Sequence, residues 1–144
     1  MKKAIIIGAS SGIGKGLAKL LADKGFKVGI TGRRTEFLEN LKSENPDSCF
    51  IKAFDVKDTN VTVKELEELA TELGGLDLLI FSSGTGDINE NLEFEIEKRT
   101  IDTNVIGFTC IADWAFHYFE KQRSGHLVTI SSVGGLRGSR QAPS

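Results

Sequence analysis

The chain of 144 residues is poor in cysteine and proline, with two of each, and its net charge of −2 favours neither sign. Cys49 and Cys110 lack CxxC and histidine spacing, which argues against a disulfide framework and a zinc site. No basic excess attracts nucleic acid or anionic lipid, and the apolar runs are too short to span a membrane. We therefore expect one ordinary cytoplasmic domain with two reduced thiols, without nucleic-acid or membrane partners.

Glycine is plentiful, with 16 residues, and a cluster of them follows the first strand-like run. Residues 3–7 are aliphatic after Lys3, as in a strand buried on both faces, and GASSGIG at residues 8–14 comes next. Glycine permits a tight turn and close approach of a ligand to the backbone. A helix that begins at this turn directs free N–H groups and its positive dipole end toward it. We interpret this segment as a cradle for the phosphates of a nucleotide.

Strand-like and helical patterns alternate along the rest of the chain. Further strands are predicted near residues 27–31, 49–54, 77–81 and 126–130, with helices near 36–41, 62–73 and 95–122. The first helix has Ile13, Leu17, Leu20 and Leu21 on one face, and residues 87–93 are predicted to be a polar surface loop. This alternation predicts an α/β, Rossmann-type doubly wound parallel sheet with helices on both faces. The ligand is expected at the carboxyl ends of the strands, where the strand order reverses.

Several segments, in order along the whole chain, resemble the short-chain dehydrogenase/reductase family. The glycine turn has the family's G-x-x-x-G-x-G spacing, although Ile7 stands where the family usually has Thr. DLLIFSSG at residues 77–84 is similar to the family's D-x-L-V-N-N-A-G, with both Asn and the Ala replaced. Asp55-Val56, Asn104 within DTNV and the segment ISS at residues 130–132 also match family motifs.

The resemblance implies a set of site residues. Ser132 would polarise a substrate carbonyl, and Asn104 would hold a water for proton relay. The implied cofactor-binding residues lie in the glycine turn and at the ends of strands two, three and four: Gly8, Ser10, Ser11, Gly12, Ile13, Gly14, Arg33, Arg34, Asp55, Val56, Ser82, Ser83 and Gly84. Without the resemblance, the serines read as turn or cap residues, Asn104 as a helix-interior polar residue, and Asp55 as a loop cap.

The family's next motif, Tyr-x-x-x-Lys, is missing from these residues. Counting from Ser132, its Tyr would be the first residue beyond Ser144, and Tyr118 lacks the right context. In the family the Tyr is the acid/base, and the Lys helps to lower its pKa. We therefore expect residues 1–144 to be the amino-terminal portion of one longer NAD(P)-binding Rossmann domain, with about five strands and little or no activity alone.

The end of strand two predicts the choice of cofactor. An acidic residue there would bind the ribose 2′-hydroxyl of NAD, but the sequence is Thr31-Gly32-Arg33-Arg34. Guanidinium groups suit a 2′-phosphate, so we expect NADP(H) rather than NAD(H), with Arg33 the principal contact and Arg34 secondary.

Together these features predict an NADP(H)-dependent oxidoreductase that acts on a small carbonyl/alcohol substrate, with homo-oligomers expected of the full-length protein. The alternative is a non-catalytic dinucleotide-binding or sensor module. Neither the substrate nor the reaction direction follows from these residues.

Overall fold

The computed structural model describes residues 1–132, 134, 136 and 141. Within that part of the chain, five strands form one sheet: β1 (Lys3–Ile7), β2 (Lys27–Gly32), β3 (Cys49–Ala53), β4 (Leu78–Phe81) and β5 (His126–Thr129). All neighbouring pairs are parallel, in the order β3-β2-β1-β4-β5. The strand order therefore reverses beside β1, and the predicted Rossmann-type sheet is confirmed.

Helices cover both faces of this sheet, as the alternation of elements predicts. They are α1 (Gly12–Asp23), α2 (Thr35–Glu44), α3 (Thr59–Leu73), α4 (Phe94–Ile101) and α5 (Phe108–Gln122). One core contains Ala18 of α1 and Leu38 of α2. The other contains Leu69 of α3 and Ile111 of α5. Each large aliphatic side chain buried in these cores contributes roughly 1.5–3 kcal/mol to the stability of the fold. The two helical layers therefore hold the strand ends in fixed positions.

The buried face of α1 differs from the prediction. Its fully buried residues are Gly14, Ala18 and Ala22, whereas Ile13 is 62% exposed and Leu20 is 49% exposed. Small residues allow this helix to approach the sheet more closely than a leucine face would. Leu17 and Leu21 pack only at the margin of the core.

The long helix predicted at residues 95–122 is interrupted. Between α4 and α5, residues Asp102–Gly107 form a π-helical segment, which contains Asn104. Such single-turn widenings are rare in helices and frequent at functional sites.

The prediction of a surface loop at residues 87–93 was wrong at one position, because Asn89 is only 3% exposed.

None of the helices in the described part of the chain is both long and apolar enough to cross a membrane.

Candidate dinucleotide site

A cavity of about 300 Å³ lies at the carboxyl ends of β1 to β4, where the strand order reverses. Twelve of the thirteen residues predicted to bind the cofactor line it; the exception is Gly14. Six further residues that line it were missed by sequence reasoning: Thr31, Gly32, Phe54, Thr85, Thr103 and Ile130. Five of them lie at or just beyond the carboxyl ends of strands, and Thr103 directly precedes Asn104. Their positions relative to the predicted strands and to Asn104 could therefore have identified them as cavity residues.

The glycine turn is fixed by backbone contacts to two neighbouring strands. The N–H groups of Gly8 and Ala9 both donate to the Thr31 carbonyl oxygen, at 3.1 and 2.8 Å. Gly8 has φ +87°, and a Cβ there would lie 2.8 Å from the backbone of Ser83. Only glycine combines this conformation with this close approach, so the turn has one well-defined course along the cavity.

Gly14 packs against the backbone of the glycine turn and does not line the cavity. A Cβ at this position would lie 2.2 Å from the carbonyl oxygen of Gly8, closer than two such atoms can approach. The first turn of α1 is therefore held directly against the glycine turn. The N–H groups at the start of α1, which have no partner within the helix, are thereby kept beside the cavity.

Arg34 is bound to the glycine turn through two hydroxyl groups. Its Nη2 donates to Ser10 Oγ and to Ser11 Oγ, each at 3.0 Å. Its guanidinium carbon also lies 4.5 Å from the centre of the Phe37 ring, a cation–π contact. Arg34 thus has a defined place at the edge of the cavity before any ligand binds.

Arg33 also lines the cavity, but its side chain is less constrained than that of Arg34. Its side chain is 69% exposed, and Nη1 is 3.9 Å from Asp55 Oδ2. The carboxylate of Asp55 also accepts the Lys57 N–H at 3.1 Å and lies 3.6 Å from Lys57 Nζ. Long, exposed ion pairs of this kind contribute little to holding a side chain in place.

Asn104 joins the π-helical segment to the chain beyond β4. Its Oδ1 accepts the Thr85 N–H at 2.9 Å, and its Nδ2 donates to the Thr85 carbonyl oxygen at 2.6 Å. The side chain therefore uses both ends of its amide to fix one residue of the cavity wall. Asn104 does not itself line the cavity, whereas its neighbour Thr103 does.

Ser132, the other predicted catalytic residue, is exposed just beyond β5 and outside the cavity lining. Its Oγ accepts the Gly134 N–H at 3.1 Å. Ile130, two residues earlier, does line the cavity, and its N–H donates to the Phe81 carbonyl oxygen at 2.9 Å. The end of β5 is therefore beside the cavity, although the structure does not bring Ser132 and Asn104 into contact.

Known proteins with the same arrangement identify the family. The family model for short chain dehydrogenase matches residues 2–144. The chain belongs to the short-chain dehydrogenase family. It is 36% identical over 144 residues to a protein named "Uncharacterized oxidoreductase MT0971" from Mycobacterium tuberculosis (strain CDC 1551 / Oshkosh), with 95% of this chain aligned. The sequence resemblance to the family is thereby confirmed.

Two solved structures that are similar to this chain differ in the cofactor that they contain. The 3-ketoacyl-(acyl-carrier-protein) reductase from Brucella melitensis, complexed with NADH, is 28% identical, with TM-score 0.85 over 92% of this chain and 57% of its own. A variant of ElxO with NADPH bound is 25% identical, with TM-score 0.86 over 96% of this chain and 58% of its own. The chain also spans 57% of the length of the Mycobacterium tuberculosis relative.

Proposed function

We propose that the chain binds NADP(H) and forms the dinucleotide-binding part of an oxidoreductase that transfers hydride between nicotinamide and a carbonyl/alcohol substrate. The observation that carries this proposal is the contact of Arg34 with both serines of the glycine turn, at the edge of the cavity. This contact joins a phosphate cradle to a fixed guanidinium group, which is the combination that a dinucleotide with a 2′-phosphate requires.

The residues around the cavity fit such a cofactor. The amides at the start of α1, with the positive end of its dipole, suit the pyrophosphate, and even a Cβ at Gly12 would meet no atom within 4 Å. Asp55 and Val56 line the cavity just beyond β3, where we propose that the adenine lies. When bound, the cofactor supplies or accepts the hydride. The chain's own task here is to orient the nicotinamide toward the end of β5 and to exclude alternative positions.

Two features at the end of β2 favour NADP(H) over NAD(H). Gly32 has no carboxylate to accept a ribose 2′-hydroxyl, and a Cβ there would already lie 3.3 Å from Ser10 Cβ. A larger acidic side chain at this position would compete with Ser10 for space. Arg34, by contrast, offers donors beside Ser10 and Ser11, so a phosphate would replace the hydroxyl groups as its partner.

The contacts favour Arg34 over Arg33 as the main contributor to NADP(H) affinity, which reverses the expectation from sequence. Sequence analysis predicts Arg33 as the principal contact, but Arg33 is exposed and faces Asp55. Arg34 is already held at the glycine turn and packs on Phe37. Because less side-chain freedom is lost on binding, we propose that Arg34 contributes more to NADP(H) affinity than Arg33 does.

Titration of the chain with NADPH and with NADH tests this proposal. Arg34→Ala should weaken NADPH binding by about 10- to 100-fold and NADH binding by less than about threefold. Arg33→Ala, the matched control, should show a smaller loss of NADPH affinity. Equal losses for NADPH and NADH in Arg34→Ala would refute the 2′-phosphate assignment. Failure of the unmutated chain to bind either nucleotide would refute the whole proposal.

We also propose that residues 1–144 bind cofactor but are nearly inactive by themselves. They contain the Ser132 hydroxyl for a substrate oxygen and the Asn104 region for a water, but no Tyr-x-x-x-Lys after Ser132. Loss of a positioned acid/base lowers the rate by about 10²–10⁴. Turnover of a carbonyl substrate at ordinary rates by this chain would contradict the proposal.

The remaining partner that we propose, for the full-length protein, is a second copy of itself. Ile101, Val105 and Phe116, on one run of α4, the π-helical segment and α5, are 43%, 51% and 68% exposed. Apolar side chains exposed along a helix are typical of subunit interfaces. Light scattering of the full-length protein after size exclusion should give a mass above that of one subunit, and Phe116→Ser should lower it. We also propose a location in the reducing cytoplasm, where Cys49 and Cys110 would remain free thiols.

A further inference from the structure

The loop between β4 and α4 is organised around a buried amide. Asn89 is 3% exposed, and its side-chain polar atoms are fully engaged. Its Oδ1 accepts the Glu93 N–H at 2.8 Å, and its Nδ2 donates to the Glu93 carbonyl oxygen at 3.1 Å and to Glu97 Oε1. An asparagine in a loop is ordinarily solvated, so burial with this number of partners indicates a specific structural task.

The backbone of the same residue contacts the chain beyond β5. The Asn89 N–H donates to the Gln141 carbonyl oxygen at 2.6 Å. Gln141 follows Ser132 by nine residues, and Thr85, four residues before Asn89, lines the cavity. The loop therefore runs from the cavity wall at Thr85 to a contact with Gln141.

The turn that Asn89 begins has a conformation that needs support. The Leu92 N–H donates to the Asn89 carbonyl oxygen at 3.3 Å, and Leu92 has φ +56°. A leucine in the left-handed region is uncommon and persists only where its surroundings hold it. The bonds from Asn89 to Glu93, the next residue, supply that support.

We propose that Asn89 is a positioning residue for the substrate side of the site, which acts by setting the course of the loop between Thr85 and α4. Its side chain fixes the loop to Glu93 and Glu97, and its backbone N–H donates to the Gln141 carbonyl oxygen. The spacing between Thr85, in the cavity wall, and Gln141 therefore depends on this one amide. The substrate role of this region rests on the proposed function, whereas the positioning role is measurable without it.

Amide hydrogen exchange, followed by NMR in the 144-residue chain, tests the proposal. Asn89→Asp places a carboxylate against the carboxylate of Glu97, and it should speed exchange at residue 89 and at Thr85 by at least about tenfold. The Thr85 N–H is bonded to Asn104, so its exchange reports the cavity wall. Asn91→Asp, in the same turn and exposed, is the matched control and should change neither amide.

A second substitution distinguishes positioning from general damage. Glu97→Gln alone should behave like the unmutated chain, because a glutamine oxygen still accepts from Asn89. When Glu97→Gln is combined with Asn89→Asp, the glutamine amide can donate to the new carboxylate at position 89. The double variant should therefore recover at least half of the lost protection from hydrogen exchange. Absence of this recovery, or faster exchange at residue 89 with Thr85 unchanged, would overturn the proposal.

A parallel NADPH titration separates this inference from the proposed function. Asn89→Asp should leave NADPH affinity within about threefold, because neither Asn89 nor its partners Glu93 and Glu97 line the cavity. A chain that binds no NADPH would refute the proposed function while the exchange measurements still decide the role of Asn89. A large loss of NADPH affinity in Asn89→Asp alone would contradict the assignment of this residue to the substrate side.

Discussion

The two halves of the site are built by different means. On the side of β1 and β2, glycines bring backbone against backbone, and Arg34 bonds to serines of the turn. On the side beyond β4, two asparagine side chains, Asn104 and Asn89, fix loop backbone. The first half depends on shape at positions where no side chain fits. The second depends on amide groups, each with a donor and an acceptor to satisfy. The comparison teaches that the first half tolerates no added atom at Gly8 or Gly14, whereas the second tolerates no lost polar partner.

The largest effect is expected from adding one methyl group to the first half. In Gly14→Ala the new Cβ would lie 2.2 Å from the Gly8 carbonyl oxygen, so α1 must move away from the glycine turn. The free energy of unfolding should fall by at least about 3 kcal/mol, as measured by urea denaturation. In Gly16→Ala, in the same helix, the new Cβ would meet no atom within 4 Å outside its own stretch of helix, and the free energy of unfolding should instead rise by about 0.5–1 kcal/mol. Similar behaviour of the two variants would contradict the close-contact account.

A smaller effect is expected from removing one amide in the second half. Asn104→Ala leaves the N–H and the carbonyl group of Thr85 without their side-chain partner. Stability should fall by about 1–3 kcal/mol, less if water replaces the lost partner. Asn40→Ala, at an exposed position of α2, is the control and should lie within about 0.5 kcal/mol of the unmutated chain. An Asn104→Ala variant as stable as this control would show that the Thr85 contact has no energetic role.

Ionic strength should affect the two nicotinamide cofactors differently. If the 2′-phosphate binds at Arg34, raising salt from about 0.05 to 0.5 M should weaken NADPH binding by roughly three- to tenfold more than NADH binding. Fluorescence titrations at several salt concentrations provide the measurement. An equal loss of affinity for NADPH and NADH with rising salt would contradict the proposal that Arg34, at the end of β2, binds the 2′-phosphate by its charge.

The smallest effect is expected at the Arg33–Asp55 pair. Its separation of 3.9 Å and the exposure of Arg33 predict that Asp55→Asn changes stability by less than about 1 kcal/mol. The Lys57 N–H keeps an oxygen acceptor in this variant. A stability loss comparable to that of Asn104→Ala would show that the adenine side also depends on a polar side chain, and the contrast between the halves would fail.

Sequence predicted the first half well because its determinants are local. A strand, a glycine turn and a helix follow one another, and Gly8 and residues 10–13 reach the cavity through that order alone. Sequence could not show that Gly14 packs against the turn while Gly8 and Gly12 line the cavity, because packing and ligand-facing glycines occur in the same sequence pattern. The same limit applied to α1, where small residues rather than leucines face the sheet.

The second half was predicted only by likeness to the family. Asn104 was identified from its surroundings, but its pairing with Thr85 joins residues from two elements and leaves no periodic signal. Asn89 was read as part of a polar surface loop because burial of its amide depends on Glu93 and Glu97 folding back toward it. The π-helical turn at Asp102–Gly107 likewise has no signature in the pattern of apolar residues.

A crystal structure of the chain with NADP⁺ tests the central claim most directly. The account predicts the pyrophosphate at the amides of residues 12–14 and the 2′-phosphate within hydrogen-bond distance of Arg34 Nη2, with Ser10 and Ser11 beside it. A glycine turn without nucleotide, or a 2′-phosphate that points to solvent away from Arg34, would contradict it.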